Sequence, residues 1–362
     1  MPAQPLPPPI NILLIGASGY IGGSILSHLC SEPVTATIHI SALVRDPADA
    51  KTITTSYPQV RTLLGDLGNE ALIRDAAADS DVVIYAARNT QDGVEPLMTG
   101  LAASGTETSP GSSARTSPRV RPALFIMLSA IISLADPKNL RLGEPPLDSS
   151  KPTSDADDRE TIASLPVYHW HVAQERAFLR LASEKGRDVV TPVIMSLPLT
   201  VGDGTGPVRT RGFVHAYAQA LSRRTSKKPF VMGQGRNVWS WSSPRDLAAA
   251  VVFVVDSWMA GDGEDDILEG HIFVESGQLE MRRLASCVGK ALGSVSEEEH
   301  AASTVECESL QYPQFAEVMP ELPGLWGVTA RCKADRLRKK GWKPAGPEWE
   351  PLVDECVRSS CA

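Results

Sequence analysis

Apolar residues in this chain gather in short blocks separated by polar, turn-forming stretches. The first block, Asn11 to Ile15, stops at Gly16, and an apolar helical run begins at Ile25. Thr37 to Val44 alternates and then turns apolar. Gln59–Leu64, Asp81–Ala87, Pro122–Ser129, Asp188–Leu197 and Gly270–Val274 are further runs of strand length and composition. Helical patterns lie between them. Tyr168 to Lys185 has an apolar side of Val172, Phe178, Leu179 and Ala182; Val208–Phe230 and Arg245–Val255 also read as helices. Strands that alternate with helices predict an α/β fold, a doubly wound, mostly parallel sheet of about seven strands covered on both faces.

Three regions leave this rhythm. Residues 1–10 hold five prolines and read as an extended tail. Residues 104–121 are rich in Ser, Thr, Pro and Gly and read as a mobile or disordered insertion, with a lid over the site as the alternative. The C-terminal part carries Trp326, Trp342 and Trp349 amid Pro and Gly and reads as a small lobe. The expected division is a dinucleotide-binding domain of residues 11–202 plus 231–275, and a substrate lobe of residues 203–230 plus 276–362. Trp239 and Trp241 share one face of an extended segment and fit either a substrate wall or lobe packing.

The turn after the first block carries the most specific chemistry. Glycines recur at 16, 19 and 22 between a buried strand and a helix. Gly16 permits the tight turn, Gly19 lets a phosphate approach the backbone, and Gly22 lets helix and sheet pack closely. Amides at the start of the helix then hold a diphosphate. In such folds an acidic residue at the end of the second strand binds the adenosine ribose, and a basic one accommodates a 2′-phosphate. Arg45 stands there, followed by Asp46, so NADP(H) is favoured over NAD(H).

Charge and cysteine content narrow the class. The 362 residues carry a formal charge of −8, which argues against a nucleic-acid protein. No apolar run is long enough for a membrane span, and a cytoplasmic protein is expected. Six scattered cysteines without a Cys-x-x-Cys spacing read as buried or free thiols. Asp155, Asp157 and Asp158 lack a calcium-loop pattern and read as a solvated face, and no metal site is expected. The expected partners are a small-molecule substrate and, as one option, a second copy of the chain in a homodimer.

Gly16-Ala-Ser-Gly-Tyr-Ile-Gly22 has a three-and-three glycine spacing that resembles the extended and atypical short-chain dehydrogenase/reductases, the NAD-dependent epimerase/dehydratase type. Pro198-Leu-Thr-Val-Gly-Asp-Gly-Thr-Gly-Pro207 resembles a segment of fungal members, and Asp246-Leu-Ala matches another family position. The resemblance implies a Rossmann domain in which Gly16, Ser18, Gly19, Tyr20, Ile21 and Gly22 hold the dinucleotide. It places Asp66 and Leu67 against the adenine, and Ala86 and Ala87 where the cofactor crosses backbone. Pro198 and Thr200 lie where the chain passes the nicotinamide. Ser129, after the fifth strand, would polarise the substrate oxygen.

The family's proton donor is a tyrosine whose pKa is lowered by a lysine four residues on. This chain departs from that pattern. Four residues after Tyr168 stands Val172; aligned through Glu175, the two places fall on Val167 and His171. One reading pairs Tyr168 with His171, three apart on a helical face, as a substitute acid-base unit beside Ser129. The activity so implied is an NADP(H)-linked reductase or epimerase/dehydratase-like enzyme for a small, fairly apolar carbonyl or hydroxyl compound of fungal secondary metabolism. The alternatives are a non-redox isomerase, cyclase or lyase, or an NmrA-like dinucleotide sensor without catalysis.

Overall fold

A computed structural model describes residues 9–31, 38–87, 92–103, 119, 121–147, 151–261, 266–296, 298, 305–321, 323–346 and 348–361. Most of the Pro-rich tail and of the 104–121 insertion lies outside the described residues. In chain order, β1 (Ile10–Ile15), α1 (Tyr20–Ser31), β2 (Ile38–Val44), α2 (Pro47–Ser56), β3 (Arg61–Leu64), α3 (Glu70–Ala78), β4 (Val82–Tyr85), α4 (Val94–Ala103) and β5 (Ala123–Ala130) alternate strictly. After β5 come the short β6 (Thr153–Ser154) and α5 (Arg159–Ser164), then α6 (Val172–Lys185) and β7 (Val190–Leu197). An excursion through β8 (Leu199–Thr200), α7 (Phe213–Arg223), β9 (Phe230–Met232), β10 (Val238–Ser242) and α8 (Pro244–Ala260) leads to β11 (Gly270–Phe273). The chain then continues with β12 (Gly277–Glu280), α9 (Met281–Ala291) and β13 (Glu308–Leu310) and ends in the helix Trp349–Cys361.

Seven strands form one sheet in the order β11-β7-β5-β4-β1-β2-β3, every pairing parallel. The strand order reverses between β1 and β4, and ligands of such sheets bind at the carboxyl ends of the strands beside that reversal. Alternate side chains feed opposite faces. Ile12 and Leu14 of β1 join Ile25 and Leu26 of α1 and Val251 and Val255 of α8. Leu13 and Ile15 join Ile73, Leu97 and Phe178 from α3, α4 and α6. Burial on both faces explains why these strands read as apolar runs.

A further apolar cluster surrounds the three-stranded sheet β12-β10-β8. Phe213 stacks on Trp326 at 3.7 Å between ring centroids, and Tyr217 stacks on Phe230 at 4.7 Å. Trp239 and Trp241 are both 4% exposed and belong to this cluster.

Helix α6 starts four residues later than its apolar pattern predicts. Residues 166–171 form a turn in which the His169 amide donates to the Pro166 carbonyl at 3.0 Å. His171 then takes a left-handed backbone, φ 68°, which breaks the helix before Val172. Arg176 holds this connection by donating to the carbonyls of Ala163 and Leu165. Asp155 also departs from expectation: it is fully buried, its carboxylate accepting from the Phe273 amide at 2.9 Å and the Arg336 amide at 3.0 Å. It fastens the β6 segment to β11, and burial pushes its carboxyl up to about 6.

Candidate functional site

The dinucleotide cradle is built at the β1–α1 turn. Gly16 sits at φ +86°, and a Cβ there would come within 2.7 Å of the Ala86 carbonyl oxygen. A Cβ on Gly22 would meet the Gly16 oxygen at 2.1 Å. Turn and helix therefore close on each other through glycine alone, and the Gly19 amide donates to the Gly16 oxygen at 2.9 Å. The first turn of α1 has no acidic residue, so the positive end of its dipole is not neutralised from within. Ser18, Tyr20 and Ile21 are half-buried around this end. A diphosphate fits the backbone cradle: glycines clear the approach, and helix amides face it.

The flanking positions fall at neighbouring strand ends. The Ala86 amide donates to the Ile15 oxygen at 2.9 Å, which sets Ala86 and Ala87 beside Gly16. Asp46 caps α2, its carboxylate accepting from the Ala48 amide at 2.8 Å. Arg45 is exposed and forms no ion pair or hydrogen bond with a described residue. Asp66 is exposed and accepts from the Gly68 amide at 3.0 Å, while Leu67 packs inward on the face of α3 and α4. Pro198 is buried, and Thr200 pairs with Ser242 in the three-stranded sheet.

Tyr20 ties the cradle to the lobe. Its hydroxyl donates to the Gly202 oxygen at 2.5 Å, and its ring meets His215 edge-on at 6.0 Å. His215 Nδ1 accepts from the Gly212 amide at 3.1 Å, which leaves the proton on Nε2, 2.9 Å from Asp203. The Ser359 hydroxyl donates to the same Asp203 oxygen at 2.7 Å. Asp203, His215 and Cys356 bring ligand-type atoms within 4.8 Å of one another. Their chemistry opposes a metal: both His215 nitrogens are engaged, and burial pushes the Cys356 thiol up to about 12. The cluster reads as a brace between the last helix and the cradle.

The predicted acid-base residues do not assemble as the sequence suggests. Ser129 is buried and donates to Glu175 Oε1. The other Glu175 oxygen lies 3.2 Å from His271 Nε2. His171, half-buried at the head of α6, has its imidazole held below the usual value by burial, with the nearby Glu175 opposing. Tyr168 does not share a helical face with His171, because the helix has not begun. It is 44% exposed, carries the Lys138 ammonium 3.8 Å from its ring centre, and packs on His169.

Glu175 and His271 are thus contacts that sequence spacing does not show. The one local sign is an acidic residue inside the buried stripe of α6, among Val172, Phe178 and Ala182. The described residues also form cavities. One of about 340 Å³ is lined by Glu175, His271, Asp155 and Arg336. A larger one of about 900 Å³, in the lobe, is lined by Trp241, Arg236, Arg282 and Trp349.

Residues 10–99 match the NmrA-like family. WbmH from Bordetella bronchiseptica, solved in complex with NAD+, superposes with a TM-score of 0.60 over 96% of this chain and 97% of its own, at 15% identity. The two share a Rossmann-like α/β fold. Vestitone reductase from alfalfa shows the same fold, with a TM-score of 0.57, 13% identity, and coverage of 97% of this chain and 99% of its own. An oxidase from Acremonium, ucsJ, is 27% identical over 359 residues, 95% of each chain. The likeness to these two solved structures is one of fold. Among the described residues no helix is long and apolar enough to cross a membrane.

Proposed function

We propose that this chain is an NADP(H)-linked oxidoreductase acting on a small, fairly apolar carbonyl or hydroxyl compound. The observation that carries the reading is the Gly16–Gly22 cradle, closed by glycine against Ala86 at the strand reversal. The preference for NADP(H) rests on the next strand end. Asp46 is committed to capping α2, while Arg45 is exposed and unengaged by described residues, so a 2′-phosphate would meet a guanidinium there. The likeness to ucsJ, named as an oxidase, favours redox work, and we place the substrate in fungal secondary metabolism as part of the same proposal.

When bound, the nicotinamide supplies or accepts hydride. The protein's part is to orient the substrate oxygen and move its proton, and Ser129 with its Glu175 contact is suited to that work. His171, held neutral by burial near pH 7, is a second proton acceptor at the head of α6. Tyr168, turned outward, has no part in the step.

A dinucleotide sensor without catalysis is the second reading, favoured by the NmrA-like match over residues 10–99 and by the missing Tyr-x-x-x-Lys pair. Turnover separates the two. The enzyme consumes NADPH or NADP+ with at least one member of a panel of small ketones, aldehydes and secondary alcohols. A sensor binds NADPH and turns over none of them.

A further inference from the structure

We propose that Glu175, acting through Ser129, takes up and returns the substrate proton in place of the absent tyrosine and lysine, with His271 as the positioning residue that holds it. The inference rests on the oxidoreductase reading above and names its proton path. Glu175 is 2% exposed, yet both its oxygens are engaged: Ser129 of β5 donates to Oε1, and His271 of β11 lies 3.2 Å from Oε2. A buried carboxylate costs stability unless its oxygens are bonded, and both of these are engaged, so the arrangement is specific. Its second oxygen is fixed, which leaves the first directed at the one hydroxyl placed at the carboxyl end of β5.

Glu175 faces Ser129 of β5, His271 of β11 and His171 at the head of its own helix. Glu175 and His271 also line the cavity of about 340 Å³, together with Asp155 and Arg336. That space has room for water, so a proton collected through Ser129 has a route from Glu175 to solvent.

The step balances in either direction. In oxidation the substrate hydroxyl passes its proton to Ser129 Oγ while Ser129 passes its own to Glu175 Oε1. The substrate C–H bond breaks with its electron pair, which leaves as hydride to an oxidised nicotinamide dinucleotide, and the C–O bond becomes a carbonyl. One proton goes to Glu175 and two electrons go to the cofactor. Reduction runs the same transfers backwards. Ser129 touches the substrate, and Glu175 acts only through it.

The test has an arm that needs neither substrate nor cofactor. Isotope-edited infrared spectra of the cofactor-free protein should show a Glu175 carboxylate band, identified by its loss in Glu175→Gln. The band should shift in Ser129→Ala and in His271→Phe, each of which removes a contact, and return in His271→Gln, which restores an N–H. A band that ignores Ser129→Ala overturns the proposal. In the second arm, Glu175→Gln lowers turnover about 100-fold or more while the NADPH Kd stays within about twofold. Full turnover by Glu175→Gln also overturns it. Absence of NADPH binding by the wild type would instead count against the oxidoreductase reading, since the infrared arm stands without it.

Discussion

The cradle at β1–α1 and the corner where β5, α6 and β11 meet teach different things about how a sequence encodes a site. The cradle is made from seven consecutive residues, and its requirements are steric: a Cβ on Gly22 would lie only 2.1 Å from the Gly16 oxygen, and Gly16 must turn left-handed against Ala86. Local constraints of that kind leave a spacing in the chain. The corner is made from residues 46 and 96 positions apart, joined by a carboxylate. No spacing records it, because only the sheet order brings β5 and β11 to either side of β7.

The comparison can be broken most forcefully at Gly22. Gly22→Val should abolish NADPH binding and destabilise the fold by roughly 3 kcal/mol or more, since the new side chain runs into backbone. Chemical denaturation and a binding titration measure both effects. A stable Gly22→Val that still binds NADPH would show that the cradle is not what the glycines are for.

The corner is sharpened by contrasting two hydroxyls. Ser129→Ala should reduce turnover about 100-fold with NADPH affinity unchanged, whereas Tyr168→Phe should stay within about threefold of the wild type. Tyr168 faces outward against Lys138, and Ser129 faces inward on Glu175. Equal losses from both substitutions would mean that Tyr168 reaches the reacting oxygen after all.

Much of the architecture was legible in the residues. Seven strand-length runs became the seven strands of the parallel sheet, and the central ones are apolar throughout because both their faces are buried. The start of α6 was not legible: Tyr168 and His169 suit a helix pattern, and the left-handed turn at His171 is imposed by the surrounding packing. Asp155 was misread for a similar reason. Its neighbours Asp157 and Asp158 suggest a solvated run, and its two amide partners, Phe273 and Arg336, lie more than a hundred residues away.

The smallest expected effect comes from that buried aspartate. Asp155 holds its proton more tightly in the folded chain, with its carboxyl at about 6, than in the unfolded one, near 3.8. Its contribution to stability is fully present below the unfolded value and is lost as pH rises through about 6. Urea unfolding between pH 4 and 7 should therefore show a downward slope on the order of 2 kcal/mol that Asp155→Asn removes. An unchanged slope in the variant would place the proton elsewhere.

The most direct measurement is a calorimetric titration of the wild type and Arg45→Ala with NADPH and NADH. Saturable NADPH binding is expected, weakened about tenfold or more by Arg45→Ala, with NADH binding nearly unmoved by the same change. A wild type that binds neither nucleotide would contradict the account at its foundation.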